Sequence, residues 1–494
     1  MTVPHARLRM GTTEGRWVLA TTVMGTGVAM LNGTDVSVAL PAIGAEFDAN
    51  VATLQWVLNG YMVTLAALIL VGGSLGDHYG RRRVYLAGVA WFSLASLLCA
   101  VAPNAPLLIA GRILQGVGGA LLTPGSLAII QSCFEQEDRA TAIGAWSGLT
   151  GIAAAIGPLL GGILVDGPGW RWIFALPVPL ALAVIWAGIR HVPESVEPSA
   201  DPLDWVGGVM AVVGLGGTTY AIIGYPDGGL NPTVTAGLIV GVVALVAFVL
   251  WERATEAPMV PFEVFRSRQF TGANLATFVV YSALGGVFFM LIVHLQTVAG
   301  FTATGAGAAS IPVMLIMLFG SPLVGRLAQR IGPRLPLTIG PLLLAGGMVM
   351  MGEIPNGAAY ISDVLPSLLV FGVGLTLVVT PVTATVLAAV EERHAGLASG
   401  INNAVARTGQ LLAVAALPAL AGLTGGDFAD PEAYAPGFRS AMWIAAGLSV
   451  AGAIIGSTMI RRDVLAGQSE DLQIEVRHCA VQDPPPMHGS GGRG

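Results

Sequence analysis

The sequence contains no lysine, so all 23 of its basic residues are arginine. This absence excludes the phosphate-binding lysine of a P-loop and any lysine Schiff base on this chain. Charged residues are also scarce, at 11% of the 494 residues, whereas soluble domains contain about 25%. A chain with so few charges cannot cover a water-facing surface.

Cysteine is rare as well. Cys99, Cys133 and Cys479 have neither the spacing of metal ligands nor that of a disulfide framework. The net charge of −6 gives no electrostatic support for binding to nucleic acid. Hydrophobic residues, in contrast, make up 54% of the chain, which is typical of a polytopic membrane protein.

Long apolar runs occur along almost the whole chain. A bilayer core about 30 Å thick requires about 20 apolar residues per helix, and we find fourteen such runs. They cover roughly residues 17–38, 54–75, 84–102, 107–130, 140–164, 173–190, 205–224, 234–251, 270–298, 305–328, 335–353, 364–388, 396–421 and 438–460. The sequence therefore predicts an all-α membrane protein with 14 transmembrane helices.

The arginines predict the orientation of these spans. With the N-terminus inside, only Arg171 and Arg439 fall on the outer side and only Arg112 and Arg407 fall within spans, leaving nineteen of the 23 in cytoplasmic segments. An excess of arginine in cytoplasmic loops is the usual arrangement. We therefore expect a multi-pass protein of the bacterial cytoplasmic membrane, in contact with its lipids and with both termini in the cytoplasm.

A short pattern occurs twice, 252 residues apart. The sequence GSLGDHYGRRR at residues 73–83 follows the second span, and GRLAQRIGPR at 325–334 follows the tenth. If the second copy marks the second helix of a second unit, that unit begins with the ninth span. Parallel repeats are typical of transporters whose substrate site lies between the two halves. The alternative is that the two stretches are not a repeat, because glycine and arginine are common in any short cytoplasmic loop.

The repeat predicts a 6+2+6 arrangement of helices. A cytoplasmic arm at 1–16 precedes a six-helix bundle at 17–190, and a second bundle follows at 270–460. Between them, residues 191–269 form a linker with two inserted helices. The polar residues 461–494 are predicted to be a disordered cytoplasmic tail.

Several stretches resemble the major facilitator superfamily, and with fourteen spans they are similar to its drug:proton antiporter subgroup of 14 helices. Besides the repeated loop, the matching stretches are LNGTDVSVALP at 31–41, RILQG at 112–116, GIAAAIGPLLGG at 151–162, WRWIF at 170–174 and PFEVFRSRQF at 261–270. The resemblance implies the major-facilitator fold and export of drugs or antibiotics. In the family, an aspartate usually stands at the position of Asn32 and an apolar residue at that of Asp35.

Asp35 is the only carboxylate that we place deep inside a span. A charged and unpaired acid in lipid costs several kcal/mol, so Asp35 must be protonated, paired or in contact with water. We hypothesise that it is the proton-coupling site. The alternative is an acid near the outer end of the span that reaches the interface, because Pro41 follows shortly after it.

Arg112 is the expected counter-charge of Asp35, since a buried arginine stays protonated and requires a partner. Gln115 lies one turn later on the same face. The family resemblance assigns the matching arginine to proton coupling. The alternative is a purely structural hydrogen-bonding role.

Glycine dominates the fifth span. Gly151, Gly157, Gly161 and Gly162 allow close helix packing, and Pro158 permits a bend. The resemblance identifies this stretch as the antiporter motif, which closes a leak pathway. The sequence itself predicts only the packing.

The first copy of the repeated loop is a candidate gating loop. Gly73 allows close helix approach, Asp77 is placed to pair with Arg81, and Gly80 precedes that arginine. Such a charge cluster stabilises one of two packings of a transporter. The alternative is that the arginines only orient the protein in the membrane.

Polar residues within the spans predict a substrate cavity. The candidates are Asn32, Gln115, Tyr281, His294, Gln296, Asn403 and Arg407. A histidine can relay protons, but a lone histidine in an apolar run is more often a packing residue. The partner of Arg407 cannot be identified from the sequence.

These observations predict a proton-coupled antiporter that exports a lipophilic or amphipathic molecule, neutral or with one positive charge. It is expected to act as a monomer with no cofactor other than the proton gradient, and not as an enzyme. The alternatives are a transporter of a narrow metabolite or lipid-like substrate and a symporter. A lipid-modifying membrane enzyme would need clustered carboxylates or histidines, which this sequence does not contain.

Overall fold

The computed structural model describes residues 8–197, 202–390 and 395–465. Within these ranges the chain is helical and contains no β-strand, apart from one isolated bridge between Leu8 and Phe134. This confirms the predicted all-α class. The predicted disordered tail lies outside the described residues from 466 onward, as do residues 1–7 of the predicted N-terminal arm.

Sixteen α-helices make up the described chain. The first seven are α1 (Thr13–Phe47), α2 (Val51–Tyr79), α3 (Arg81–Ala100), α4 (Ala105–Cys133), α5 (Gln136–Asp166), α6 (Arg171–Ala175) and α7 (Pro177–His191). Two more follow, α8 (Trp205–Gly228) and α9 (Pro232–Ala254). The last seven are α10 (Arg268–Thr297), α11 (Ala303–Ala309), α12 (Ile311–Ile331), α13 (Pro336–Met351), α14 (Leu365–Ala388), α15 (Ala395–Leu420) and α16 (Pro431–Met459).

Twelve helical segments of the described chain are long and apolar enough to cross a membrane. In this set α6 and α7 together form one segment, and α11 and α12 form another. Helix α13 is shorter, and α15 is not among the twelve. The finding confirms a multi-pass membrane protein with about twelve spans, whereas the exact number of fourteen stays a prediction.

Proline explains most differences between predicted spans and observed helices. Helix α1 was expected to end near residue 38, but it continues through Pro41 to Phe47. The run 173–190 is divided before Pro177, and the run 305–328 is divided at Ser310, just before Pro312. At the start of a helix, proline removes no hydrogen bond that the helix needs, so it is tolerated there.

The helices pack in three groups. Helices α1 to α7 pack mainly with one another, most extensively α4 with α2 and α3, and we call them the first half. Helices α10 to α16 form the second half, in which α10 packs against both α15 and α16. Helices α8 and α9 form a hairpin that contacts α2 and α15. The hairpin is tight because Gly217 and Gly241 bring the two backbones together.

The helices alternate in direction because short loops join them, so the bundle has two ends. We call the end at which α1 begins the arginine-rich end, because the loops after α2, α7 and α12 lie there and arginines occur in or beside each of them. The other end, at which α1 reaches Phe47, is called the opposite end. Arg171 and Arg439 lie at the opposite end, each in an ion pair with a glutamate.

The largest hydrophobic core shared by the two halves lies toward the opposite end. The first-half residues of the largest buried cluster include Val36, Ile43, Leu54 and Phe174, which belong to that end, and they pack with residues of the second half. Toward the arginine-rich end, the first half has a separate core that contains no second-half residue. Leu411 of α15 also packs in a smaller cluster with α2 and α8, so the halves contact each other along α2 and α15 as well.

Candidate transport pathway between the two halves

Helix α4 places Arg112 in a fully buried polar network of the first half. Its Nη1 donates to Asn32 Oδ1 and to Gln115 Oε1, both at 2.6 Å, and its Nε donates to the Val57 carbonyl at 2.9 Å. The guanidinium also lies 4.6 Å from the centre of the Tyr61 ring. Arg112 is only 1% exposed, so these neutral groups replace the water that a free arginine would bind.

The structure separates Asp35 from Arg112. No ion pair joins them among the described residues, and the amide of Asn32, one turn earlier on α1, occupies the place where we expected the carboxylate. The two side chains therefore form no direct ion pair in this conformation, and the role of Arg112 as the counter-charge of Asp35 stays a prediction. Asn32, the neutral partner of Arg112, stands at the position where the family that this chain resembles usually has an aspartate.

Asp35 is nevertheless buried deep in α1. Its side chain is 4% exposed, its Oδ1 has no hydrogen-bond partner, and α1 continues for about 18 Å beyond it at 1.5 Å per residue. The alternative of an acid at the end of its helix is thus wrong. Asp35 lines a void of about 10 Å³ with apolar residues of α1, α5, α6 and α7, which is at the lower limit for one water molecule.

The glycines of the antiporter motif differ in their surroundings. A Cβ at Gly161 would lie 2.8 Å from the Asp35 Cβ, and one at Gly157 would overlap the Thr34 hydroxyl, so this part of α5 packs directly on α1. Gly162 is pressed against the Ala303 backbone of α11 in the second half, and the carbonyl of Pro158 against Gly307. Gly151, however, is exposed with nothing within 4 Å, so the expected close packing does not reach it.

Three sets of hydrogen bonds, which we call the closing contacts, join the halves toward the opposite end. Gln55 Nε2 donates to the carbonyls of Val414 and Ala415, each at 2.8 Å. Gln296 Nε2 donates to the Val38 carbonyl at 3.0 Å, and the Asp166 carboxylate accepts from the backbone amides of Ala303 and Thr304. Backbone carbonyls paired in this way restrain both halves, so the closing contacts must break before the opposite end can open.

In the second half, α15 carries Arg407 at the boundary with the first half. Its Nη1 reaches Gln410 Oε1 at 3.4 Å and its Nη2 reaches Met30 Sδ of α1 at 3.9 Å. Asn403, one turn earlier, is exposed and bonds only to the carbonyl of its own helix at Ser399. Tyr281 on α10 is half-buried beside the same boundary. Of the predicted cavity residues, Asn403, Arg407 and Tyr281 thus gather on the second half.

His294 lies elsewhere. Its ring stacks on Phe438 of α16 with centroids 4.0 Å apart, its Nε2 lies 3.1 Å from the Ile354 carbonyl, and it is 1% exposed. These contacts belong to the core of the second half and not to the boundary between halves. The packing interpretation of His294 fits this position, whereas a place in the cavity does not.

Acidic side chains form ion pairs with the arginines of the candidate gating loop. Arg81 Nε donates to Asp77 Oδ1 at 2.8 Å, and Glu197 lies 3.7 Å from the same guanidinium. Glu194 Oε1 accepts from the Arg82 backbone amide at 3.0 Å and its Oε2 lies 3.6 Å from the side chains of Arg82 and Arg83. Residues 192–197, which leave α7, therefore lie directly on the loop between α2 and α3.

Sequence reasoning missed two of these residues. Gln55 is an amide in an apolar run, one turn before Asn59, and such polar residues within a span are the signal that would have singled it out. Glu194 lies in the acidic linker after α7, but nothing in the spacing indicates that it meets a loop 112 residues earlier. Both act through contacts that are distant in the chain.

The fold and this boundary define a polytopic helical transporter built from two bundles around a shared pathway. The family model of the Major Facilitator Superfamily matches residues 18–414. The chain belongs to the Major Facilitator Superfamily, whose members transport solutes and are not enzymes.

The chain is similar in sequence to two curated relatives and in fold to a solved structure. The multidrug resistance protein Stp of Mycobacterium tuberculosis is 34% identical over 401 residues, covering 81% of this chain and 74% of that protein. The methylenomycin A resistance protein of Bacillus subtilis is 31% identical over 402 residues, covering 81% and 86%. A bacterial homologue of the human lysosomal transporter Spinster, solved inward-facing and unoccupied, shares the fold with a TM-score of 0.65 at 18% identity, covering 90% and 97%.

Proposed function

We propose that this protein is a proton-coupled antiporter that exports lipophilic or amphipathic molecules across the bacterial cytoplasmic membrane. The observation that carries the proposal is the boundary between the halves. Arg112 is buried and Arg407 half-buried beside it, Asp35 is buried close to it, and the closing contacts join the halves toward the opposite end. Relatives over most of the chain are named for resistance to drugs or antibiotics, which supports export as the direction.

The proposal includes fourteen spans in a 6+2+6 arrangement with both termini in the cytoplasm. The separate packing of α8 and α9 and the equivalent loops after α2 and α12 support this layout. With this orientation the closing contacts lie on the outer side, so the proposed pathway opens toward the cytoplasm, where an exporter takes up its substrate. The uncovered glycine stripe of Gly144, Gly148 and Gly151 on α5 accords with that opening.

Asp35 is proposed as the proton site. A carboxyl group with an unpartnered oxygen in a nearly dry void favours its protonated form, and a displacement of α1 against α5 at Gly161 would change that environment. Since α5 also contacts α11 of the second half through Gly162, motion of the halves is mechanically linked to Asp35. This link makes protonation dependent on the conformation, which antiport requires.

The test uses everted membrane vesicles that contain the protein and are energised to acidify the interior. A pH-sensitive dye reports proton release when lipophilic compounds are added, while fluorescence of the compound reports its uptake. We expect compound-dependent proton release by the wild type and none by Asp35→Asn. Glu353→Gln is the matched control, because it removes an exposed acid at the opposite end and should leave release intact.

The outcomes separate the parts of the proposal. Uptake without proton release would leave export in place and exclude proton coupling. Release that persists in Asp35→Asn would keep antiport and assign the proton to another group. Neither uptake nor release with a folded, inserted protein would overturn export of this class of compound.

A further inference from the structure

Arg407 is a cation near the middle of α15 with no countercharge among the described residues. It is the thirteenth of the 26 residues of α15, so it lies about as far as possible from either end of its helix. Its only side-chain partners are the Gln410 amide and the Met30 sulfur, at 3.4 and 3.9 Å, and it forms no ion pair with any described residue. An arginine in this position is costly unless an anion or water faces it.

No other charge in the interior of the described bundle neutralises the positive charge of Arg407. Arg112 donates to three neutral oxygen acceptors, and Asp35 is enclosed between α1 and α5 and forms no ion pair with Arg407. All remaining acids of the described chain lie near helix ends or in loops. The boundary between the halves therefore carries an excess of positive charge even when Asp35 is ionised.

The surroundings of Arg407 suit an acidic aromatic or aliphatic group. The guanidinium is a planar fork that matches a carboxylate with two parallel hydrogen bonds. Tyr281 of α10 stands nearby, because Gly409 and Gln410 of α15 pack directly on α10 at Ser282 and Gly285. Met30 of α1 supplies an adaptable apolar contact from the first half.

We propose that the exported molecule is an acidic lipophile, with a carboxylate or similarly acidic group bound by Arg407. The inference rests on the proposed export function and names its substrate class. It departs from the neutral or monocationic molecule expected from the sequence, because the structure leaves the arginine of the second half unpaired. Export of an anion from a cell with a negative interior is also favoured by the membrane potential, at about 2.3 kcal/mol per charge for 100 mV.

The test compares three probes with the same ring system: anthracene-9-carboxylic acid, its methyl ester and 9-(aminomethyl)anthracene. Uptake of each is measured in energised everted vesicles, and binding to the purified protein is measured by fluorescence without any gradient. We expect the acid to be taken up with a KM about tenfold lower than the ester. Arg407→Gln should raise the KM and Kd of the acid about tenfold and leave the values for the ester nearly unchanged.

Two further variants identify the cause. Arg407→Lys keeps the charge but loses the fork, so it should retain part of the preference for the acid. Arg439→Gln removes an exposed cation at the opposite end and should leave the KM and Kd of all three probes unchanged. Equal weakening of all three probes by Arg407→Gln would show a structural role for Arg407 and overturn the inference.

The two proposals fail in different ways. A wild type that takes up the ester or the amine in preference to the acid is an exporter, but its substrate is not an acid. A wild type that binds the acid through Arg407 and never moves it keeps the inference and loses the export function. Absence of both binding and uptake for every probe overturns both.

Discussion

The two copies of the repeated loop have the same backbone conformation but different partners. Gly80 and Gly332 occupy equivalent places after α2 and α12, and both have a positive φ, of 109° and 82°. Each lies against the chain that leaves the last helix of its half: Gly80 faces the Glu194 carboxylate, and Gly332 faces the Arg462 carbonyl. In the first copy the partner is a charged side chain, whereas in the second it is backbone.

The difference extends to the ion pairs. In the first copy Asp77 pairs with Arg81, while the equivalent residues of the second copy are Gln329 and Pro333, which cannot form that bridge. Among the described residues, Arg326 in the second copy bonds only to the Pro322 carbonyl of its own helix. The turn is therefore the same in both copies, whereas ion pairs between described residues join only the first loop to the segment after α7.

The largest expected effect comes from replacing the two glycines. Gly332→Ala places a Cβ in a left-handed conformation and against the Arg462 backbone, which has no flexible end to move aside. We expect it to cost about 2–5 kcal/mol, from backbone strain of about 1–2 kcal/mol and overpacking of about 1–3 kcal/mol. Gly80→Ala meets only the end of the Glu194 side chain and should cost about 1–2 kcal/mol.

Thermal unfolding of the purified variants in detergent measures this difference. Gly332→Ala should melt at the lower temperature of the two. Equal losses, or a less stable Gly80→Ala, would contradict the proposed distinction between backbone and side-chain partners. The double variant Gly80→Ala/Glu194→Ala sharpens the test, because its loss should be smaller than the sum of the two single losses.

Glu194→Ala is expected to have the next largest effect. Glu194 caps the start of α3, which has no side-chain cap of its own, and faces two arginines. Loss of a capping acceptor costs about 1 kcal/mol, and loss of its charge adds to this. Hydrogen exchange of residues 80–84 and 192–197 should accelerate about fivefold to tenfold, while exchange around Gly332 stays unchanged. Acceleration at both loops would contradict a local role.

The sequence predicts those features of the two loops that depend on residues close in the chain, and not those that depend on residues far apart. Helix ends and tight turns depend on residues close in the sequence, so the sequence locates both loops correctly. For the same reason, the predicted spans 270–298 and 364–388 agree with α10 and α14. The partners of those loops depend on contacts across the fold. Glu194 and Arg82 are 112 residues apart, and no spacing rule indicates that they meet.

The same limit applies to the interior site. Periodicity places Asn32 and Asp35 near one face of α1, but it does not fix how the helix is rotated against α4. That rotation, set by the packing of Gly157 and Gly161 on α1, brings the amide and not the carboxylate to Arg112. The candidate residues were therefore identifiable from the sequence, whereas their pairing was not.

Asp77→Asn is expected to have a smaller effect than Glu194→Ala. The Asp77 and Arg81 side chains are 39% and 17% exposed, and Glu197 remains close to Arg81, so the loss should be at most about 1 kcal/mol. Hydrogen exchange of residues 76–84 should accelerate up to fivefold at low salt, and the difference should shrink at 1 M salt because the charges are screened. An effect that does not depend on salt would contradict the electrostatic origin.

Gln329→Asp should have the smallest effect, although it restores the acid of the first copy. The proline at 333 replaces the arginine that Asp77 uses, and the segment after α16 offers its backbone where the first half offers Glu194. We therefore expect a change of less than about 0.5 kcal/mol in stability and no new protection of residues 325–334 from hydrogen exchange. A clear gain in protection would show that a single acid is sufficient to tie the second loop. The asymmetry between the halves would then lie in one residue and not in the segments that cover the two turns.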